Sequence, residues 1–231
     1  MDEKFQEADF FFERFASPKE STQERRFFLS AFASAARSVT FCVKWAMTGI
    51  PGFDEWYEPW QRRFRDNPAA RYFQGLRNET QKRGSNPAYR WLFDDDTATD
   101  ELFAFHMYGE PDAPAPTSDL ASAAREYMRL IAELLFEAYS KFGHFIDRDV
   151  AWTVEGAARA GITVDEITRQ AHGIVYGRGS DEERLARARR NDFGSQIDGL
   201  LLKWLGHDRF GSPAARASRP GSAMRGSRTR R

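Results

Sequence analysis

One apolar stripe limits what this chain can become. Leu120, Ala124, Tyr127, Ile131, Leu134, Ala138, Phe142 and Phe145 recur three or four residues apart, the period of a helix face and not of a strand. The stripe predicts a helix over residues 118–146, about seven turns long at 3.6 residues per turn, with Thr117 or Ser118 as its N-cap. A helix that long, apolar on one side, needs partners of similar length to cover it.

The chain supplies them. Phe28, Phe32, Ala35, Val39, Val43 and Ala46 form a second stripe within 19–48, and Gly49 and Pro51 stop it in the expected order. The small residues between them allow a neighbouring helix to come close. Phe5, Ala8, Phe12 and Phe15 predict a helix over 4–16, widened by Phe10 and Phe11 so that two sides are covered, and ended by Ser17-Pro18. Phe53, Trp56, Trp60 and Phe64 predict another over 53–65, which Pro59 should kink or split. Asn67 is a natural cap and Pro68 suits the first helical position. They open a helix over 69–84 whose inner side carries Ala69, Tyr72, Phe73, Leu76 and Thr80.

Residues 88–108 break this pattern. Two short aromatic runs, AYRWLF and ELFAFHMY, flank the acidic DDDTATD, which reads as a β-hairpin laid on the helical body. A Pro-rich connector follows. Shorter helices are predicted at 153–160, 163–176, 181–191 and 193–205, and Thr163 with Glu166 makes a capping-box pattern. The fold class is therefore mainly α: an up-and-down helical bundle over 1–150 with a small inserted hairpin, a helical C-terminal region over 151–208, and a disordered tail over 209–231.

Composition adds bounds. Hydrophobic residues are 41% of the chain and 20 are Phe, ample for a core. Net charge is zero, yet seven Arg and no acid lie from Arg209 onward, leaving 27 basic against 34 acidic residues before it. The body is acidic and the tail basic. One cysteine, Cys42, forms no internal disulfide and no cysteine-rich metal site. The acidic N-terminus is unlike a signal peptide, and Phe27–Val43, the least charged stretch, is short and polar for a membrane span. A soluble cytoplasmic protein is expected, with no membrane partner.

The chemistry centres on Arg77-Asn78. Arg77 lies one turn past Phe73, at the border of the packed face, and its guanidinium is a fixed fork of donors for phosphate or carboxylate. Asn78 adds a donor and an acceptor, and Lys82 and Arg83 add charge one turn later. These four are candidates for holding an anion or RNA. The structural alternative pairs Arg77 with an acid on the next helix and Glu79 with Arg83 at i,i+4. Asp94, Asp95 and Asp96 read as a solvated turn rather than a cation site. His106, His144, His172 and His207 lack metal-ligand spacing, Gly177-Arg178-Gly179 lacks the strand and lysine of a P-loop, and 181–191 reads as a surface helix. No cofactor or metal is expected.

Helices followed by Trp56 and Trp60, then Asn67-Pro68, Arg71, Phe73, Leu76, Arg77, Asn78 and a terminal Gly84, resemble the HEPN superfamily. That resemblance implies a bundle of four or five helices, frequent dimers, and in many members metal-independent ribonuclease activity in toxin–antitoxin and phage-defence systems. The family's motif is Arg, a polar residue, then His after four to six positions. This chain has Lys82, Arg83 and Gly84 there, groups that do not exchange protons near neutral pH as His does. The expected function is a non-catalytic HEPN-like interaction or regulatory module of a prokaryotic stress or defence system, partnered by a second copy, another protein or RNA. The alternative is a metal-independent endoribonuclease using Arg77 with a non-standard partner.

Overall fold

The computed structural model describes residues 1–84, 86–92, 98–104, 116, 119–190 and 197–209, with 89–92, 98–104, 170 and 171 described by their backbone. The protein is mainly α. Helix α1 (Asp2–Ala16) is followed by α2 (Thr22–Met47), α3 (Phe53–Asp66) and α4 (Pro68–Arg83). Strands β1 (Ala88–Leu92) and β2 (Ala98–Ala104) pair antiparallel, Ala88 opposite Ala104. Then come α5 (Leu120–Ile146), α6 (Arg148–Ala151), α7 (Val154–Ala160), α8 (Val164–His172), α9 (Asp181–Arg190) and α10 (Ile197–Leu205). The aspartates 94–96, His106, most of the Pro-rich connector and the chain from 210 onward lie outside the described residues.

The helix ends follow from local chemistry. Ser21 and Glu24 close a reciprocal capping box at the start of α2, satisfying two of the donors that a helix start leaves open. Asn67 accepts from the Ala70 amide and Pro68 takes the first position of α4. Gly84 ends α4 at φ +66°, a conformation costly for a residue with a Cβ. The cap of α5 is Asp119, one or two residues later than Thr117 or Ser118. Its carboxylate accepts from two amides, Ala121 and Ser122, and a carboxylate also suits the positive end of the helix dipole. Helix α3 runs unbroken through Pro59, which lies on its exposed side. There the missing hydrogen bond falls on a carbonyl that water can reach.

The main core lies among α1, α2, α3, α4, α5 and α10. Phe32 of α2 sits at its centre, with its ring centroid 5.3 Å from Phe15, 5.2 Å from Phe73 and 6.5 Å from Tyr127. Phe73 and Tyr127 stack at 5.7 Å. Truncating such a ring to Ala typically costs about 3–5 kcal/mol. Three stripe positions depart from the periodic expectation: Phe10, Ala46 and Phe145 are exposed. Phe10 lies on the outer side of α1, and Ala46 and Phe145 fall in last turns whose inward side is taken by Met47 and Ile146. Phe11 packs inward, stacked on Phe28 at 6.5 Å. Helix α2 is long and apolar enough to cross a membrane by length and composition, and it is also the central core helix.

A second, small core holds Ala157, Val164, Ile167 and Leu185 of α7, α8 and α9. The chain then returns: Ile197, Leu201 and Trp204 of α10 join the main core. Arg209, grouped by composition with the tail, is buried just beyond. It donates to Asp147, at the junction of α5 and α6, and to Asp198 at 2.7 Å, and lies over the Tyr139 ring at 5.1 Å. Burial by itself would lower the affinity of Arg209 for its proton. The hydrogen bonds to Asp198 and Asp147 outweigh burial and raise its pKa.

Candidate functional site

Three places concentrate chemistry. The first is the outer end of α4, where the sequence puts its anion candidates. Arg77 and Asn78 are both half-buried, and the Arg77 Nη1 donates to the Asn78 Oδ1 at 3.3 Å. Arg83 pairs with Glu79 at 3.4 Å, the i,i+4 pair of the structural alternative. The Thr80 hydroxyl donates to the Leu76 carbonyl, and Gln81 reaches across to Ser34 of α2 at 3.1 Å. A cleft of about 200 Å³ adjoins this end, lined by Gln23, Arg26, Phe27, Ser30, Thr80, Gly84 and Asn86. None of Arg77, Asn78, Lys82 and Arg83 lines it. The four candidates thus share a helix end and stand outside this cleft.

The second place is a groove of about 570 Å³ where α10 lies beside α1 and α5. Its cations are Lys19, Arg125, Arg129 and Lys203, against one acid, Glu13. Lys203 is committed: its Nζ lies 2.6 Å from Asp9 and 2.7 Å from Glu13. Partial burial works against its charge, and the bonds to Asp9 and Glu13 more than offset this and raise its pKa. Trp204 donates its indole N–H to the same Asp9 at 2.8 Å. Phe12 and Trp204, 5.1 Å apart, form a buried aromatic wall. Arg125 lies over the Phe12 ring at 5.6 Å, a cation–π contact that leaves its N–H donors available. Lys19, Arg125 and Arg129 have no acidic partner among the described residues. Sequence reasoning missed this site because its walls come from residues more than a hundred positions apart. The spacing of Arg125 and Arg129 at i,i+4 was its one visible trace.

The third place is the outer face of α2. Trp45 is 85% exposed, and Phe27 and Phe41 are also exposed. They lie on the side of α2 opposite the core stripe, separated by Ala31, Ser34 and Ser38. Arg37 lies over the Phe41 ring at 4.5 Å. Among the described residues no cluster of three or more His, Cys, Asp or Glu could hold a metal ion. Cys42 is a free, half-buried thiol. His172 is wedged between the Trp152 and Tyr176 rings.

Comparison with known proteins corrects the resemblance to the HEPN superfamily. A family model described as bacteriophage lambda protein ea47 matches residues 1–139, including every residue on which the HEPN likeness rests, and nothing supports the HEPN assignment. The likeness has a plain physical source. Asn67 and Pro68 start a helix, Phe73 and Leu76 bury its inner side, and Gly84 ends it. Trp56 and Trp60 both point their indole N–H groups at Glu137 of α5, at 3.4 and 3.0 Å. Any helix packed in this way can share that string of residue types. No curated protein and no solved structure matches the chain.

Proposed function

The chain belongs to the family of bacteriophage lambda protein ea47, and from that footing we propose that it is a non-catalytic binding module whose α1–α5–α10 groove takes an acidic segment of a partner protein. The observation that carries this reading is the set of three cations, Lys19, Arg125 and Arg129, that ring the groove without an acidic partner among the described residues. The groove already holds carboxylates in the same manner, through Lys203 with Asp9 and Glu13. An arginine fork pairs with a planar carboxylate through two parallel bonds. Protein carboxylates fit better than RNA for two reasons. Phe12 and Trp204 are buried in the wall, too little exposed for a base to stack on. The chain before Arg209 also carries more acid than base, which disfavours a long polyanion.

The test is titration of the full chain with a fluorescent oligo-glutamate peptide at low salt. The expected result is saturable binding that weakens as salt rises. The double variant Arg125→Ala/Arg129→Ala should bind at least ten-fold more weakly, about 1.4 kcal/mol, while Lys82→Ala at the far site should not change it. Binding unaffected by the double variant, or single-stranded RNA held more tightly than the peptide, would overturn the reading.

A further inference from the structure

Ser30 of α2 does not do what Ser38 and Thr48 do further along. Ser38 bonds back to the Ser34 carbonyl at 2.8 Å and Thr48 to the Lys44 carbonyl at 2.7 Å, the usual use of a hydroxyl proton within a helix. The corresponding acceptor for Ser30 is the Arg26 carbonyl, and both of its lone pairs are taken. One accepts the helix's own Ser30 amide, and the other accepts the Asn86 side-chain N–H at 2.7 Å. The Ser30 hydroxyl has no hydrogen-bond partner among the described residues, and Ser30 lines the cleft of about 200 Å³ beside the end of α4. We propose that this cleft binds a small hydroxylated phosphomonoester, its phosphoryl group held by Arg26 and Ser30.

Charge is the first support. Arg26 is half-buried and has no acidic partner among the described residues, and no Asp or Glu lines the cleft. Its Nε is shielded from water without a hydrogen-bond partner. A cation withdrawn from water in this way calls for a counter-charge. The guanidinium is also held in place. Its Nη2 donates to the Asn86 carbonyl at 2.6 Å, and the return bond from Asn86 closes a two-way clasp between α2 and the chain after α4. A donor fixed beforehand loses little freedom when it takes a ligand. The third support is the arrangement of donors. Arg26 and Ser30 stand one turn apart on α2, and Gln23 adds a side-chain amide one turn before Arg26. A flat carboxylate is satisfied by an arginine fork alone, whereas a phosphoryl group has a third oxygen for a donor such as Ser30. Thr80, across the cleft on α4, gives its proton to the Leu76 carbonyl at 2.9 Å. Its oxygen is left to accept, and a ligand hydroxyl is what it can accept from. Phe27, 63% exposed, supplies an apolar wall for the carbon chain. The volume of about 200 Å³ falls below the range of about 300–1,000 Å³ for drug-sized ligands, which sets the ligand as a small one. The cleft shares no lining residue with the α1–α5–α10 groove.

The experiment is thermal unfolding of the full chain in low-salt, phosphate-free buffer, with glycerol 3-phosphate as the probe. A ligand that binds the folded state raises the melting temperature as its concentration rises. A rise that saturates below about 10 mM is expected, larger than the rise from inorganic phosphate, lactate or glycerol. Arg125→Ala/Arg129→Ala should keep the whole response, which separates this cleft from the groove. Ser30→Ala should bind the probe about five-fold more weakly, the loss of one hydrogen bond. Ser30→Asp sets a carboxylate one turn from Arg26 and should abolish the response, with a cooperative melt in the absence of the probe as the check that it folds. A wild type with no saturable rise overturns the proposal. So does a rise that Ser30→Asp retains, or one that Arg125→Ala/Arg129→Ala removes. Inorganic phosphate or lactate matching the ester also overturns it.

Discussion

Replacing Arg209 by Met tests how much of the fold depends on one charge at the end of the described chain. The side chains of Arg209 and Asp147 are each 5% exposed, and Arg209 also reaches Asp198. Met keeps the apolar stem of the side chain and removes the guanidinium with its donors. Asp147 would then be a buried carboxylate whose remaining side-chain partner among the described residues is the Asp149 amide at 3.0 Å. Removing one partner of a buried pair costs about 3–5 kcal/mol. Asp198 and Asp149 are more exposed, so their share is small, and the lower end, about 3 kcal/mol, is expected. For a chain of this size that lowers the melting temperature by about 6–12 °C. The assay is urea unfolding followed by far-UV circular dichroism. Asp147→Asn combined with Arg209→Met should cost less than the two single changes added together, with a coupling of about 2 kcal/mol. The hydrogen bond from Arg209 holds the Asp198 carboxyl below the usual range, against the effect of burial. A depressed folded-state pKa contributes stability above the ordinary carboxylate range and loses it as pH falls through the folded value. The gap between wild type and Arg209→Met should therefore narrow in acid. A loss under about 1 kcal/mol, or strictly additive single changes, would refute the reasoning.

Three more outcomes are expected. The Tyr72 hydroxyl is buried with no hydrogen-bond partner among the described residues and its pKa is pushed well up by burial, so Tyr72→Phe should stabilise the fold by about 1 kcal/mol in the same urea assay, and a loss instead would mean that the hydroxyl has a partner. A Cβ on Gly156 would meet the Ala151 carbonyl oxygen at 2.4 Å, so Gly156→Ala should destabilise by about 2 kcal/mol and increase hydrogen exchange across α6 and α7; exchange confined to other helices would count against it. Asn67→Ala removes the cap of α4 and should cost about 1 kcal/mol, whereas a loss of binding without loss of stability would return that stretch to a functional role.

What was legible in the sequence was whatever repeats locally. The stripes through Phe32 and Tyr127 located the core, because helical period alone decides which side of a helix is buried. Thr163 and Glu166 announced a capping box that the structure forms. Non-local partners were not legible. Arg209 reads as one more tail arginine until Asp147 is placed beside it. Lys203 and Trp204 say nothing of Asp9, some 195 positions earlier. Arg77-Asn78 looked like half of a motif because a capped, amphipathic helix and a catalytic helix use the same alphabet. The stripe also overreached at Phe10 and Phe145, since periodicity marks what can be buried and not how far round a helix its neighbours reach.

The return of α10 to the first helix has a consequence for how the chain is made. Phe12 is finally covered by Trp204, so α1 leaves the ribosome long before its cover exists. At about 5–20 residues per second, the intervening stretch takes on the order of 10–40 seconds to synthesise. During that interval the Phe12 side of α1 is an open apolar surface on a nascent chain, and a chaperone or a neighbouring polypeptide has first access to it. A chain cut at residue 139 would carry that surface for its whole lifetime.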